Sequence, residues 1–398
     1  MKKILYITPS FGSKGTIYKH NLLFLDAVKQ STEIYVAAGK QSYENDFAHK
    51  PVLSYELPLD KLNAVVNRLF PNRVFYGSDP FKQPRIPFLK SKCENFIRDN
   101  QVDIIHTVCR PYFAHKIGYN LKKKYGLPWV AQFLDAWLDN PDRTVPKYLQ
   151  RYDAEQEAMV AHNADIILHT NKQLVDIWHE RYGDVVKNKM YVMAFCFNNE
   201  QIVNAKSLTK HLHNSDGVID FSYIGISMGN RNLQDVIEAT NILINAKPHY
   251  RKKFQISIVG NYLQCDSLLV AKYNLHDIII HKGYLRGEDL QKAYTETDVF
   301  IVVDSPMKRN VFFPSKLLDY FYYQKPILGI TSKFGVTNDL LTEAGHTPIE
   351  NGNITAIVEF MDQVISNYNS IMSFDREYFM TFAPEKVNTL YTDIIESL

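Results

Sequence analysis

Short apolar runs alternate with amphipathic stretches along the whole chain. In the first half the runs are KILYIT (Lys3–Thr8), EIYVAAG (Glu33–Gly39), DIIHTVCR (Asp103–Arg110), PWVAQFLD (Pro128–Asp135), ADIILHT (Ala164–Thr170) and KMYVMAFC (Lys189–Cys196). In the second half they are VIDFSYIG (Val218–Gly225), KFQISIVG (Lys253–Gly260), DIIIHKGY (Asp277–Tyr284), DVFIVVD (Asp298–Asp304) and PILGIT (Pro326–Thr331). Continuous apolar runs of this length predict strands buried on both faces, as in parallel sheets. Between them, TIYKHNLLFLDAVKQ, HKIGYNLKKKYG, Val145–His162, Asn232–Ala246 and EDLQKAYTET predict helices. Asn171 is placed to cap the helix that follows it. Helices near Ile354–Tyr368 and Arg376–Ser397 close the chain.

The predicted strands end in loops of the kind that carry ligands in open parallel sheets. The first leads into Pro9-Ser10-Phe11-Gly12-Ser13-Lys14-Gly15, a glycine loop that matches neither a dinucleotide fingerprint nor a P-loop. Asp135 falls where a strand runs out, and His106 sits near the end of the strand before it. In the second half, Gly225-Ile226-Ser227-Met228-Gly229-Asn230-Arg231 follows one strand, Gly260 ends the next, and Gly283-Tyr284 ends a third.

The stretch VFFPSKLLDYFYYQKPILGI (Val311–Ile330) carries the most chemistry. Pro314 presets the first turn of a helix. Ser315 and Asp319, four apart, share one helix face, while Leu317, Leu318 and Phe321 turn to a core. Pro326 stops the helix. Free N–H groups at such a helix start, beside the Ser315 hydroxyl and the Lys316 ammonium, suit a phosphate. A carboxylate one turn on, Asp319, suits ribose hydroxyls. The same pattern also occurs in α/β domains where it is only structural.

P-S-K-L-L-D-Y followed by Q-K-P-I-L resembles the signature of the GT4-type retaining glycosyltransferases of the GT-B fold. The resemblance extends along most of the chain and is strongest from Asp220 to Ile330. It implies the α/β class, with two doubly wound Rossmann-like domains facing a cleft (GT-B). Residues 1–200 would form an acceptor-side domain, 201–375 a nucleotide-sugar domain, and 376–398 a helix returning to the first. It also implies transfer of a sugar from a nucleotide-diphosphate sugar to a hydroxyl, with retention and without a metal.

In such a transferase the Gly12 loop lies under the donor phosphates. Gly225, Gly260, Gly283, Tyr284, Pro314, Ser315 and Asp319 belong to the donor site. Arg231 matches the second member of a basic pair, and Ser227 stands where the first would be. Arg231 and Lys316 would stabilise the leaving diphosphate. Asp135 would orient the acceptor hydroxyl or steady positive charge at the anomeric carbon. The sequence departs from the family at Val311, where many members have glutamate, and at Leu134, where many have histidine. His106 is the candidate to compensate on the acceptor side, against the plain reading of a satisfied core histidine.

Two readings compete, besides a nucleotide-sugar epimerase, which shares the fold. Gly225-Ile226-Ser227-Met228-Gly229 fits the nucleophile elbow of serine hydrolases, and Asp304 and His346 follow in triad order. An elbow needs its helix to start at the serine, which Asn230 and Asn232 delay. The other rival is a catalytically silent GT-B subunit that binds a partner or a glycan. No H-E-x-x-H, paired C-x-x-C or Asp-x-Asp pattern is present to hold a metal, and no cofactor is expected beyond the donor itself.

Composition narrows the partners. Lys+Arg 45 against Asp+Glu 43 leaves a net charge of +2, so nothing global calls for nucleic acid. Cys93, Cys109, Cys196 and Cys265 are far apart and read as reduced thiols of a cytoplasmic protein. MKKILYITPS reads as a first strand rather than a signal peptide, and no run approaches the roughly 20 apolar residues of a membrane helix. Residues 61–92 set Lys61, Arg68, Arg73, Lys82, Arg85, Lys90 and Lys92 against Asp79, with phenylalanines interleaved. One reading is a patch resting on anionic headgroups at the inner face of a membrane, each basic residue adding about 1 kcal/mol. The other is a solvated loop. A glycan or lipid-linked acceptor fits the family.

Overall fold

The computed structural model describes residues 1–9, 16–39, 53–55, 85–109, 112–140, 147–205, 217–368 and 374–398. Gly12 and residues 61–84 of the basic segment lie outside them. The chain divides into two units: Met1–Asn198 with Phe382–Leu398, and Asn199–Thr381. Arg376 to Thr381 therefore belong to the second unit, not to the returning segment.

In the first unit the described strands are β1 (Lys2–Ile7), β2 (Thr32–Gly39), β3 (Leu53–Tyr55), β4 (Ile104–Cys109), β5 (Trp129–Phe133), β6 (Ile166–His169) and β7 (Met190–Val192). They pair in parallel in the order β3-β2-β1-β4-β5-β6-β7. The helices are α1 (Thr16–Val28), α2 (Arg85–Asp99), α3 (Phe113–Tyr125), α4 (Lys147–Asn163) and α5 (Lys172–Tyr182). Asn171 caps α5, its Oδ1 accepting the Leu174 N–H at 3.0 Å.

Strand period sets the two cores. Leu5 and Ile7 of β1 face a core with Ile105, Trp129, Phe133 and Trp178, while Ile4 and Tyr6 face another with Phe24 and Ile104. A last helix, outside the βαβ run, covers that second core. The sequence suggests one helix over Arg376–Ser397, but a 3₁₀ turn at Tyr378–Phe382 precedes Pro384, whose fixed φ starts the helix afresh at Pro384–Glu396. Its Val387, Tyr391, Ile394 and Ile395 pack on Ile4, Tyr6 and Phe24. Full burial of each such side chain contributes about 1.5–3 kcal/mol.

The second unit begins with α6 (Asn199–Ala205), a short helix. It continues with β8 (Ile219–Gly225), α7 (Gln234–Ala246), β9 (Phe254–Gly260), α8 (Gln264–Lys272), β10 (Ile279–Gly283), α9 (Gly287–Glu296) and β11 (Val299–Val303). It closes with α10 (Lys316–Tyr323), β12 (Ile327–Thr331), α11 (Val336–Glu343), β13 (Ile349–Glu350) and α12 (Ile354–Ser366); the chain's last helix, Pro384–Glu396, is then α13. These strands pair in parallel in the order β10-β9-β8-β11-β12-β13. The order reverses direction between β8 and β11, so the loops after those two strands diverge there. That is the point where doubly wound sheets accept ligands.

Candidate functional site

The two diverging loops of the second unit supply the side chains that matter. After β11, Asp304 and the loop to Pro314 lead into α10. The carbonyls of Pro314 and Ser315 accept the N–H groups of Leu317 (2.8 Å) and Leu318 (3.2 Å), while those of Ser315 and Lys316 have no acceptor among the described residues. Ser315 is helical in φ and ψ, and its hydroxyl does not cap the helix. Leu317, Leu318, Tyr320 and Phe321 are buried, which fixes the rotation of α10 and so aims Lys316.

The Lys316 ammonium is buried and has no hydrogen-bond acceptor among the described residues. It lies 4.1 Å from the centroid of the Tyr223 ring. The Tyr223 hydroxyl is itself buried without a partner among the described residues, and the contact is with the ring face. A Cβ added to Gly225 would stand 2.9 Å from Nζ, so only glycine leaves the ammonium this room. Burial pulls the Lys316 pKa down and Arg231 adds to that shift, while Tyr223 and Asp304 oppose it.

Gly225 and Gly260 face each other across β8 and β9. With Gly260 at φ +129°, an added Cβ would lie 1.9 Å from the Gly225 carbonyl oxygen. Beyond Gly225 the chain closes a tight turn in which Met228 and Arg231 exchange two backbone bonds of 3.0 Å, with Gly229 at φ +57°. The turn leaves the Arg231 Nε buried and without an acceptor among the described residues. Asn261 holds the turn through Ser227, donating to its carbonyl and accepting from its N–H, both at 2.6 Å.

Asp304 follows directly on β11, the neighbour of β8, at the same end of the sheet. It is 3% exposed, and its Oδ2 has no hydrogen-bond partner among the described residues. Burial raises its pKa, against Thr337, Arg231, Asn310 and Lys316, which hold it down. On the other side, His281 ties the end of β10 to the Gly260 carbonyl at 2.9 Å, and Gly283 turns the chain at φ +69°. Tyr284 is 68% exposed beyond it. Asp319 is half-buried, with one oxygen accepting the Tyr294 hydroxyl at 3.3 Å.

One end of this sheet thus carries Gly225, Arg231, Gly260, Gly283, Tyr284, Pro314, Ser315, Lys316 and Asp319. Tyr223, Asn310 and Thr337 escaped the sequence reading. Asp304 entered it only as a hydrolase residue, although a carboxylate closing an apolar strand was a visible signal. Among the described residues no group of three His, Cys, Asp or Glu side chains is placed to hold a metal ion.

Asp135 and His106 belong to the first unit. Asp135 is half-buried, two residues past β5. His106 requires a correction: it lies inside β4, fully buried, with its ring nitrogens against the Tyr391 hydroxyl (2.7 Å) and Gln132 Oε1 (3.1 Å). It is a satisfied core histidine. The nucleophile elbow fails as well. Ser227 lies in the turn and α7 starts only at Gln234, while the His346 ring stacks on Phe374 at 4.6 Å.

No family model matches the chain, and no curated protein sequence matches it. Solved structures match over its full length. The sucrose-phosphate synthase of Thermosynechococcus elongatus has a TM-score of 0.67 at 13% identity, covering 100% of both chains. The fold is GT-B. The lipopolysaccharide outer core galactosyltransferase WaaB, in apo form, follows at TM-score 0.66 and 13% identity, with 99% of each chain covered. An E. coli trehalose-6-phosphate structure bound with UDP-2-fluoro glucose has TM-score 0.67 at 11% identity, covering 100% of this chain and 99% of that one. At these identities the likeness speaks for the GT-B fold. Among the described residues no helix is long and apolar enough to cross a membrane.

Proposed function

We propose that this chain is a retaining glycosyltransferase that moves a sugar from a nucleoside-diphosphate sugar to a hydroxyl of a glycan or lipid-linked acceptor. The observation that carries the reading is the Lys316 ammonium, buried without a hydrogen-bond acceptor among the described residues at the switch point of a GT-B unit, with the Arg231 Nε, likewise unpartnered among them, at the same end of the sheet. Buried cations without acceptors cost free energy unless something outside the chain supplies the anion. A departing diphosphate is such an anion, and preorganised donors of this kind contribute about 3 kcal/mol each to a transition state.

In this reading Arg231, Lys316 and the free N–H groups at Ser315 take up the charge that forms on the diphosphate, with no metal required. The acceptor enters on the face the diphosphate leaves, and the diphosphate oxygen receives its proton, giving retention. Asp319 accepts from the ribose, Tyr284 lies against the base, and Asp135 orients the acceptor hydroxyl. Surface polysaccharide or glycolipid assembly is the setting this chemistry serves. Residues 61–92 supply the contact with an anionic membrane surface. The test is release of UDP or GDP from a panel of sugar donors by the wild type, Lys316→Ala and Asp319→Ala. Turnover abolished by Lys316→Ala supports the reading; turnover unaffected by it refutes the reading.

Two observations favour a silent GT-B subunit as the second reading. Val311 is buried and apolar near the start of α10, and Asp319 already accepts the Tyr294 hydroxyl. Nucleotide binding without turnover of any donor would select it.

A further inference from the structure

We propose that Asn261 is a positioning residue for the diphosphate site: its side-chain amide brackets Ser227 and so holds the turn that presents Arg231 to the leaving group. This inference rests on the transferase reading of the same site.

The turn after β8 is not held at its tip by apolar packing. Ile226 is 59% exposed and Met228 57%, and Gly229 and Asn230 are exposed as well. The paired bonds between Met228 and Arg231 close the turn on itself and leave its orientation on the sheet open. Side chains of the segment after β9 supply that orientation. Asn261 Oδ1 accepts the Ser227 N–H, and its Nδ2 donates to the Ser227 carbonyl, both at 2.6 Å. Downstream of Arg231, Asp266 Oδ1 in α8 accepts the Leu233 N–H at 3.1 Å, just before α7 begins. Arg231 thus stands between two anchors that belong to one segment.

Asn261 is itself well placed for this. Gly225 and Gly260 are level in the sheet, with their backbones so close that Asn261 starts directly beside the turn. His281 holds the Gly260 carbonyl at 2.9 Å, and its ring lies 5.1 Å from that of Tyr262, so the chain is tied on both sides of Asn261. Ser227 is 2% exposed beneath these bonds. A side-chain amide offers an acceptor and a donor in one plane, so the pair of bonds fixes the turn's rotation as well as its distance from β9. Rotation matters because a cation displaced by about 1 Å from developing charge can lose about a hundredfold in rate.

The test is a double-mutant cycle on donor turnover, read as UDP or GDP release by the wild type, Asn261→Ala, Arg231→Ala and the double variant. Near-ultraviolet circular dichroism and a urea midpoint check folding. Asn261→Ala is expected to lower kcat about tenfold or more and to change the donor KM by less than about threefold, because the guanidinium acts most where charge develops on the diphosphate. Arg231→Ala is expected to lower kcat about a hundredfold. The double variant is expected to match Arg231→Ala within about twofold, since Asn261 then has nothing left to position. Asn261→Leu, close in shape and unable to form either bond, repeats the cycle should the alanine variant not fold. Losses that multiply in the double variant, or a kcat for Asn261→Ala within about twofold of wild type, overturn the positioning role and leave the transferase reading standing. No nucleotide release by the wild type from any donor overturns both.

Discussion

The Lys316 ammonium stands 4.1 Å from the centroid of the Tyr223 ring, with both shut off from solvent. The ring presents its electron-rich face to a cation that has no hydrogen-bond acceptor, which is worth about 0.5–2 kcal/mol. Tyr223→Leu is therefore expected to weaken UDP or GDP binding by about two- to thirtyfold, and Tyr223→Phe to leave it within about twofold. Calorimetric titration of both variants at pH 7.5 decides this. Equal loss in the two would assign the role to the hydroxyl instead.

Gly260 is the tightest backbone approach in the site. An added Cβ would stand 1.9 Å from the Gly225 carbonyl oxygen, at a φ of +129° that side chains rarely adopt. The obstacle is backbone, so no rotamer change relieves it. Gly260→Ala is expected to destabilise the second unit by about 3 kcal/mol or more. Gly352→Ala, at φ +82° with nothing nearby, is expected to cost only about 1 kcal/mol. Chemical denaturation of the two variants gives the comparison.

Behind the loop that carries Asp135, Glu157 is fully buried. Its Oε1 accepts from Arg181 Nη1 (2.5 Å) and the Tyr182 hydroxyl (2.9 Å), and its Oε2 from the Leu138 N–H (3.1 Å). Arg181 also holds Asp139, so α4 and α5 together clamp the chain just past Asp135. Arg181→Met leaves the carboxylate without its cation and is expected to cost about 3 kcal/mol, much of it recovered in Arg181→Met with Glu157→Gln. Burial already raises the Glu157 pKa, and losing Arg181 raises it further. A carboxyl with a raised folded-state pKa is favoured by protonation, so the deficit is expected to shrink as the pH falls from 8 to 5.

Much of this architecture was legible because parallel strands are buried on both faces and so write themselves as uninterrupted apolar runs. β11 and β12 are examples, entirely buried and bounded by polar loops. β3 and β13 were not legible, since three and two residues at the sheet edges carry no period of their own. α6 hid in a polar stretch for the same reason. His106 misled because a strand's end cannot be read from composition; β4 runs on to Cys109, and the histidine's partner, Tyr391, lies 285 residues away. Lys316 was found through a helix-start pattern, which is local. Tyr223, Asn310 and Thr337 come together only when β8, the loop after β11 and α11 are packed, and no spacing in the chain encodes that.

Histidines make the first unit sensitive to acid. Burial lowers the pKa of His20, His106, His115 and His169 to about 3; Lys19 adds to the shift at His20, Gln132 opposes it at His106, and the neighbouring histidines add to it at His115. Each is neutral in the folded chain and takes up a proton when unfolded below its ordinary value near 6.5. Their contribution is therefore intact above pH 6.5 and declines as the pH falls toward 3. The loss is about 1.4 kcal/mol per pH unit for each histidine, or about 2 kcal/mol each between pH 6.5 and pH 5. In the second unit His346 is lowered only to about 4. All three tryptophans, Trp129, Trp137 and Trp178, lie in the first unit, so their fluorescence follows that unit alone. The urea midpoint by fluorescence is expected to drop between pH 7 and pH 5. His169 isolates one contribution: both its ring nitrogens are buried without partners, between Phe133 and Trp178. His169→Phe keeps the aromatic packing and removes the proton site. It is expected to flatten the pH dependence by one proton and to be more stable than the wild type at pH 5. An unchanged slope would mean that His169 is protonated, and paired, in the folded chain.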